Sequence, residues 1–517
     1  MNGGRAGMGR KVLFITTDQQ RYDSLGCTGN TVARTPVADR LAREGILYRR
    51  AYNQNTVCMP ARSTMITGQY VRTHGVVANG IPLPLDAPSV AGHLHDKAGY
   101  RTSLIGKAHF QPGMDRERKW AENVMASEGS TGPYRGFEHL ELAMHGYLRQ
   151  WHYDKWLEKN GPEWTSAYYP LISMISLGLN DEGGGDTDAP EVKHNPIPRG
   201  MYHTDWVADR TISWLQSLDA EDDWFCWMSF PDPHHPWDPP VDEVRRRLDW
   251  RDLDLPDGHP KSREKAAEIL SQKPHHWLDW YEGRFRNVEG GPAGFVPSKM
   301  TDDQVREVNA LVHVENELID EAIGRVLKEV TARGWGPYTD VFLTTDHGEL
   351  QGDFGLLFKG PYHVDALMRV PFIWRPAPVS VTGPAVIDEP VGHLDLAPTF
   401  CAIAGLNTPE WAQGSELPTE PGSGRERVIT EWDSQFDQIG MKLRSIYRDG
   451  WVCTAYEAGP LYEGTEGELY DLAEDPLQWR NLWDEPAHRG RRNELVTDLY
   501  DNLPPSREPA LTVEAPV

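Results

Sequence analysis

Short apolar runs alternate along this chain with segments whose apolar residues recur at helical spacing. Four of the runs are rich in β-branched or aromatic residues and are bounded by polar ones, a pattern typical of strands buried on both faces of a sheet. These runs are KVLFITTD (11–18), RTSLIGK (101–107), DWFCWMSF (223–230) and YTDVFLTTD (338–346). The segment TPVADRLAREG predicts a helix with Thr35 as N-cap, Pro36 in its first position and Gly45 at its end.

One predicted helix is much longer than the others. Between Thr301 and Arg333 the apolar residues recur on one face, and Thr301 with Gln304 has the sequence of a capping box. Strands that alternate with helices in this way predict an α/β fold, with a large and mainly parallel sheet flanked by helices. Ligands of such folds bind at the carboxyl ends of the strands.

The character of the chain changes near residue 410. Residues 1–410 predict the main α/β domain, and about 112–200, which are rich in Gly, Pro, Trp and Tyr, predict an elaboration of it. From 411 to 517 the pattern alternates and lacks helix signals over much of its length. We therefore expect a smaller C-terminal α+β domain with an antiparallel sheet.

Composition narrows the classes of function. The net charge of -25 argues against a nucleic-acid binder, and it requires any anion site to be locally positive. The five cysteines are scattered without a C-x-x-C pair, which fits a reducing compartment. The sequence shows neither the apolar core of a signal peptide nor an apolar segment of membrane-spanning length. We expect a cytoplasmic protein that binds neither nucleic acid nor a membrane.

Two predicted strands end in similar polar residues. Asp18 and Gln19 follow one strand, and Asp346 and His347 follow another. Carboxylate and amide oxygens suit Ca²⁺ or Mg²⁺, and the imidazole also admits Mn²⁺. Either pair alone is more simply explained as residues that end a strand or cap a helix. Together, at the same end of one predicted sheet, the two pairs predict a metal site.

Cys58 lies at the start of a predicted helix, in the segment NTVCMPARSTMITG. Pro60 suits the first turn of a helix, and Arg62 adds a positive charge one turn along, so this helix start favours an anion. Cys58 follows the mostly polar stretch NQNTV, whereas a core cysteine would be expected among apolar neighbours. A structural thiol, a thiol nucleophile, a metal ligand and a precursor of another group are the alternatives.

The two Asp-containing pairs and the Cys58 segment together resemble those of the type I sulfatases of the alkaline-phosphatase-like superfamily. The stretch from Cys58 through Pro60 to Arg62 is similar to their Cys-x-Pro-x-Arg signature, and further segments follow in the family's order over nearly the whole chain. Those segments are TTDQQ, IGKAHF, DPHHPWDPP, TTDHGE, GLLFKGPYHVDALMRVPFIW and ELYDLAEDPLQWRNL. The resemblance implies the alkaline-phosphatase-like fold, with a large mixed and mainly parallel sheet and a smaller C-terminal domain.

The resemblance also implies a chemistry for individual residues. A maturation enzyme is expected to oxidise Cys58 to formylglycine, whose hydrate is the nucleophile that hydrolyses a sulfate ester. The expected metal ligands are Asp18, Gln19, the modified Cys58, Asp346 and His347, and the expected ion is Ca²⁺, with Mn²⁺ and Mg²⁺ as alternatives. The expected catalytic residues are Cys58, Arg62, Lys107, His109, His234 and Lys359. The expected substrate contacts are Asn79, Lys107, His234 and Lys359.

Each catalytic residue has an expected role. Arg62, Lys107 and Lys359 would neutralise the sulfuryl oxygens. His234 would protonate the leaving group, and His109 would act as the base that releases sulfate. His235 stands beside His234 in the same segment, and the sequence leaves open whether it has a part in the chemistry.

The two metal segments bear on the substrate. Asp18-Gln19 and Asp346-His347 replace the commoner Asp-Asp and Asp-Asn pairs, as in the branch with choline sulfatases, some bacterial arylsulfatases and phosphonate monoester hydrolases. The last tend to lose the Lys and His of the Gly-Lys-x-His segment, which this chain keeps. A sulfatase for aryl or alkyl sulfates, promiscuous toward phosphoesters and phosphonates, is therefore predicted.

The sequence also leaves two alternative functions open and suggests an oligomeric state. A phosphonate monoester hydrolase or phosphodiesterase on the same scaffold is the first alternative. A non-catalytic binder of sulfated ligands, with Cys58 unconverted, is a remote one. Homo-oligomerisation is expected from the branch resembled and from the Trp-rich segments.

Overall fold

The computed structural model describes residues 9–515, except 114, 116, 118, 169–183, 288, 290, 293 and 435–439. Residues 169–183 belong to the predicted elaboration, so that part of the prediction lies outside the described residues. Among the helices described, none combines the length and the apolar character needed to cross a lipid bilayer.

A large sheet forms the centre of the molecule. Its eight described strands are β1 (Lys11–Thr17), β2 (Ile46–Tyr48), β4 (Arg101–Gly106), β5 (His139–Leu142), β6 (Trp224–Ser229), β7 (Thr339–Thr345), β8 (Phe372–Arg375) and β9 (Ala385–Ile387). Their spatial order is β5-β4-β6-β1-β7-β8-β2-β9. β8 is antiparallel to both of its neighbours, and the other pairs are parallel. A separate parallel pair is formed by β3 (Ala51–Tyr52) and β10 (Val391–Gly392).

Helices cover both faces of this sheet. The described α-helices are Pro36–Glu44, Cys58–Thr67, Val71–His74, Val90–Ala98, Ala121–Glu128, His152–Asn160, His203–Gln216, Val241–Arg247, Arg263–Leu270, His276–Tyr281, Asp302–Ala332, Asp365–Met368, Leu396–Ile403 and Arg489–Asn502. Thr301 caps the longest helix, and its capping box with Gln304 is formed as predicted. Thr35 is the residue before the first helix, with Pro36 in its first position.

The side chains of β1 show how the core is divided. Val12 and Phe14 point to one face and join the cluster that includes Leu396 and Phe400. Leu13 and Ile15 point to the other face, toward the long helix. Because successive side chains in a strand alternate in direction, a strand buried on both faces needs a continuous apolar run. The run at residues 11–18 has this pattern, and it forms β1.

A second sheet forms from the C-terminal part of the chain. Its antiparallel strands are β11 (Arg427–Asp433), β12 (Lys442–Arg448), β13 (Trp451–Tyr456) and β14 (Gly467–Asp471). Leu495 and Leu499 of the last helix are buried against it. The fold class is as expected, whereas the boundary at residue 410 stays a prediction.

The predicted elaboration is partly built into the main sheet. β5, from within residues 112–200, is an edge strand of the large sheet and is parallel to β4. The segment before β6 also pairs with the loop after it, through Val192 beside Trp237 and Asn195 beside Pro240. These pairings bring residues of the elaboration to the carboxyl ends of the central strands.

Candidate active site

Two metal-type carboxylates meet at the carboxyl end of the large sheet. β1 and β7 are parallel neighbours with Thr17 opposite Thr345. Asp18 and Asp346 are the next residues of the two strands, so the register alone places them side by side. Both are fully buried. The expected convergence of these two distant residues is therefore present in the fold.

Arg62 joins these carboxylates to the neighbouring strands. Its Nε donates to Asp346 Oδ2 at 2.8 Å, and its Nη2 lies 3.2 Å from Asp18 Oδ2. Its Nη1 donates to the Lys107 carbonyl at 2.8 Å and to Ser229 Oγ at 2.9 Å. Four of its five N–H groups thus have protein partners. The main visible role of Arg62 is to hold Asp18 and Asp346 in place, rather than to face a substrate.

Cys58 is the first residue of the helix Cys58–Thr67 and is buried. Its Sγ lies 3.1 Å from His347 Nε2, 3.4 Å from Lys359 Nζ, 3.7 Å from Asp18 Oδ1 and 3.8 Å from Lys107 Nζ. Burial, and next the Asp18 charge, raise the pKa of the Cys58 thiol to about 11. A free thiol here stays protonated at neutral pH, which disfavours the thiolate-nucleophile alternative.

The donor atoms around Cys58 fit a divalent cation. Asp18, Cys58, Asp346 and His347 each offer one ligand atom, and these four atoms lie within 4.8 Å of one another. Two carboxylates and an imidazole suit Ca²⁺, Mg²⁺ or Mn²⁺. The residues present therefore fit the metal that the sequence implies.

Gln19 reaches the same centre. Its backbone N–H donates to Asp346 Oδ1 at 3.1 Å, and its side-chain Oε1 accepts from Lys359 Nζ at 2.9 Å. Gln19 has a φ of 64°, in the left-handed region that side chains other than glycine seldom adopt. A strained residue next to Asp18 is typical of a functional site.

Lys107 and Lys359 are both buried, and both reach the sulfur atom of Cys58. Lys107 also forms an ion pair with Asp18. Burial opposes ionisation of Asp18, but Lys107 and Arg62 outweigh it and hold the pKa of that carboxyl well below its usual range. The site is thus locally positive in a strongly acidic chain, as an anion site requires.

His234 is placed by two contacts that fix its proton. Its Nδ1 contacts the His235 carbonyl oxygen, which only accepts, so Nδ1 carries the hydrogen. Its Nε2 contacts Lys359 Nζ and lies 4.0 Å from Asp18 Oδ1. Burial, and next the Lys359 charge, lower the pKa of His234 well below its usual range. In this state the ring is neutral, and its Nε2 lone pair accepts from Lys359.

His109 and Asn79 take different positions. His109 has a φ of 55°, and neither of its ring nitrogens has a hydrogen-bond partner among the described residues. Burial, and next Lys107, lower its pKa well below the usual range. Asn79 Oδ1 accepts the Met59 N–H at 3.0 Å, and its Nδ2 donates to Glu289 Oε2 at 3.2 Å. Asn79 therefore supports the helix start that carries Cys58.

The structure adds residues that the sequence did not single out. Ser229 binds Arg62, Glu349 lies beside Gln19, and the His145 ring stacks on His234. His235 contacts the buried carboxylate of Glu191 through its Nδ1. Glu349 is the last residue of the TTDHGE segment, so the sequence motif could have identified it. His145 and Glu191 lie in the predicted elaboration, where no motif marks them.

Comparison with known proteins identifies the class of this chain. The family described as Sulfatase matches residues 10–406, and the family described as N-sulphoglucosamine sulphohydrolase, C-terminal, matches residues 352–504. The first match covers most of the chain, so the chain belongs to the sulfatase family.

Individual relatives agree with this family. The chain is 28% identical to the uncharacterized sulfatase YidJ of Escherichia coli K12, over 96% of this chain and 88% of the relative. It is 25% identical to an arylsulfatase of Clostridium perfringens, over 95% and 94% of the two chains. The phosphonate monoester hydrolase of Agrobacterium radiobacter shares the fold, with a TM-score of 0.76 at 23% identity over 95% of each chain. The expected fold, family and enzyme class, a sulfuric ester hydrolase, are confirmed.

Proposed function

We propose that this enzyme hydrolyses aryl or alkyl sulfate monoesters with a formylglycine nucleophile made from Cys58. The observation that carries the proposal is the position of Cys58 Sγ, within 3.8 Å of two lysine ammonium groups and of the buried Asp18 and His347 side chains. An anion bound beside residue 58 would contact the positive charges of Lys107 and Lys359. A nucleophile at residue 58 would lie beside Asp18 and His347, which are suitable metal ligands. The names of relatives that act on sulfate esters support the same reaction.

The first half of the reaction transfers the sulfuryl group. The formylglycine at position 58 takes up water to give a hydrate with two hydroxyl groups. One hydroxyl group would give its proton to a water molecule, and its oxygen would attack sulfur as the bond from sulfur to the leaving oxygen breaks, which would leave the sulfuryl group bound to residue 58. Lys107 and Lys359 neutralise the sulfuryl oxygens. Asp18, Asp346 and His347, with Gln19 as a further proposed ligand, would hold a divalent ion, which would supply Lewis acidity at this centre.

The leaving oxygen takes its proton from the pair formed by His234 and Lys359. Since the Nε2 of the neutral His234 accepts from Lys359, the ammonium group is where this pair holds its mobile proton. As negative charge develops on the leaving oxygen, the Lys359 ammonium gives a proton to His234 Nε2, which delivers it to the leaving oxygen and leaves Lys359 neutral. The product is the neutral alcohol or phenol.

The second half releases sulfate without attack of water on sulfur. A base removes the proton from the remaining hydroxyl of residue 58, the carbonyl double bond re-forms, and the bond from carbon to the sulfate oxygen breaks. His109 is the proposed base, because its two ring nitrogens are free of protein partners among the described residues and its ring is neutral. A thiol or a serine hydroxyl lacks the second hydroxyl group and cannot take this route.

A phosphonate monoester hydrolase or phosphodiesterase is the second candidate. The fold shared with two phosphonate monoester hydrolases, at TM-scores of 0.76 and 0.75, favours it. Against it stand Lys107, which is buried beside Cys58, and His109 on the same loop. A monoester sulfate has three terminal oxygens to neutralise, which suits the additional cation. Side-by-side assays with 4-nitrophenyl sulfate and 4-nitrophenyl phenylphosphonate decide between the two by kcat/KM.

Mass spectrometry of the tryptic peptide that contains Cys58 tests the nucleophile. Conversion replaces sulfur by oxygen and makes the peptide lighter, and hydrazide reagents label the aldehyde. Unmodified thiol alone, in protein from the native host, would support the sulfated-ligand binder instead. A Cys58→Ala variant is the matched control, since it lacks the precursor thiol.

Further expectations belong to this proposal. We propose that the enzyme depends on a maturation enzyme for Cys58 and that it forms homo-oligomers. Its five cysteines are free, which supports a cytoplasmic location. Ca²⁺ is the proposed resident ion, because oxygen ligands dominate the donor set.

A further inference from the structure

One imidazole at the centre has no part in the chemistry above. His145 lies three residues beyond Leu142, which is opposite Gly106 in the parallel pair of β5 and β4. Lys107 follows Gly106, so His145 and Lys107 come from the same end of two adjacent strands. His145 is partly exposed, whereas Cys58 and Lys107 are buried. His145 is therefore less deeply buried than the nucleophile.

The His145 ring covers the ring of the proposed proton donor. The His145 and His234 rings are parallel, with centroids 4.1 Å apart and an interplanar angle of 3°. The His235 ring also stacks on His234, at 4.1 Å and 22°. His235 is in turn held by Glu191. His145 thus stands next to the atom that delivers a proton to the leaving oxygen.

The charges that act on His145 are those of the anion site. Burial, and next Lys107, lower the pKa of His145 well below its usual range, with smaller effects of Asp18, Lys359 and His203. The ring is neutral at physiological pH, so it has one N–H donor and one nitrogen lone pair. Both lysines that influence it also reach Cys58 Sγ, so His145 lies near the proposed anion site.

One nitrogen of this ring lacks a partner. His145 Nδ1 is buried and makes no hydrogen bond within the part of the chain that the structure describes. A buried polar atom without a partner costs about 1–3 kcal/mol, so it is seldom kept unless a ligand or water fills the gap. In the proposed reaction the sulfuryl oxygens have Lys107 and Lys359 as partners, and His234 is the partner assigned to the leaving oxygen.

We propose that His145 is a further substrate-contacting residue, whose Nδ1 forms a hydrogen bond with the alcohol or phenol half of the ester. The assignment rests on the proposed sulfatase function. It gives the elaboration a role in choosing the leaving group, because His145 comes from that part of the chain. The contact strengthens as charge develops on the leaving oxygen, so it contributes most for esters of weakly acidic alcohols.

Two variants distinguish the contribution of the His145 ring nitrogen from that of its stacked ring. His145→Phe keeps a stacked ring without the nitrogen, and His145→Asn keeps a polar atom near the Nδ1 position without the ring. The exposed His95, changed to Ala, is the control. Each protein is checked for Cys58 conversion by mass spectrometry and for folding by circular dichroism. The measurement is kcat/KM for aryl sulfates from phenyl sulfate, with a poor leaving group, to 4-nitrophenyl sulfate.

We expect His145→Phe to lower kcat/KM for phenyl sulfate by about 10- to 100-fold and for 4-nitrophenyl sulfate much less, as for a lost hydrogen bond in the transition state. His145→Asn is expected to retain more activity toward phenyl sulfate than His145→Phe. Wild-type values in His145→Phe, or an equal loss for every leaving group, would overturn the proposal.

Failure of the proposed function gives a different result. If wild type prefers phosphonates, the same comparison is made with aryl phenylphosphonates, and the same dependence on leaving group is expected. If wild type hydrolyses neither series, the sulfatase proposal fails. Calorimetry then measures phenyl sulfate binding, and an unchanged Kd in His145→Phe overturns the contact, whereas a weaker Kd supports it.

Discussion

Replacement of Arg62 by Met removes the cation that holds the two metal-type carboxylates together. The Arg62 side chain is fully buried and donates to Asp346, Asp18, Ser229 and the Lys107 carbonyl at 2.8–3.2 Å. Without it, two buried carboxylates share one close ammonium group. Removal of one partner from a buried ion pair costs about 3–5 kcal/mol, so we expect a loss of this size in the free energy of unfolding of metal-free protein.

Added metal is expected to restore part of this loss. A divalent ion supplies positive charge between the same carboxylates, so Ca²⁺ should stabilise the Arg62→Met variant more than it stabilises wild type. The measurement is urea unfolding, with and without Ca²⁺ after treatment with EDTA. Arg101→Met is the control, because Arg101 is 45% exposed and pairs with surface carboxylates, so its loss should cost less than about 1 kcal/mol.

Two results would refute this reasoning. A loss below about 1 kcal/mol in metal-free Arg62→Met would mean that the buried carboxylates tolerate the missing cation. An equal effect of Ca²⁺ on variant and wild type would mean that ion and guanidinium do not act on the same charges. Either result would show that Arg62 does not hold Asp18 and Asp346 in place, contrary to what its hydrogen bonds indicate.

Three further predictions concern other parts of the molecule. Burial raises the pKa of Glu122 from 4.5 to about 7. Between pH 4.5 and pH 7 the folded state therefore binds more protons than the unfolded state. The free energy of unfolding should fall by up to about 3 kcal/mol as the pH rises through this range. The Glu122→Gln variant should show a flatter profile in urea titrations, and a profile parallel to that of wild type would contradict this. Removal of the metal with EDTA should abolish sulfate ester hydrolysis, and add-back of Ca²⁺, Mn²⁺ or Mg²⁺ should identify the resident ion; activity unaffected by EDTA argues against a metal. The C-terminal tail, residues 506–515, contacts the chain near the site, because the Glu514 N–H donates to the Gly80 carbonyl at 2.9 Å. Gly80 follows Asn79, which supports the start of the Cys58 helix. Deletion of residues 506–517 should lower kcat/KM by about threefold, equivalent to about 0.7 kcal/mol, and an unchanged value would separate the tail from the site.

The main elements of the fold were predictable from local pattern. The runs that became β1, β4, β6 and β7 each contain a short apolar stretch that is buried, because both faces of each strand are covered. The long helix is predicted to begin after Thr301, and it does, because the capping box is a local interaction. The β5 strand is not predictable in the same way, since its four residues, His139–Leu142, alternate between polar and apolar and lie in a segment with weak periodicity.

The sequence by itself determined which residues were candidates at the site, because each lies in a short motif at the end of a strand or the start of a helix. The sequence pattern predicts that Asp18 and Asp346 lie at the same edge of the sheet, since parallel strands deliver their carboxyl ends to one edge. Their side-by-side placement depends on β1 and β7 being neighbouring strands. Sequence could not determine that Arg62 is committed to those carboxylates, nor that His145 stacks on His234. Such contacts join residues that are far apart in the chain, and they depend on strand order and register. The tertiary structure alone decided them, because a hydrogen bond or a stacked ring needs two groups within a few ångströms.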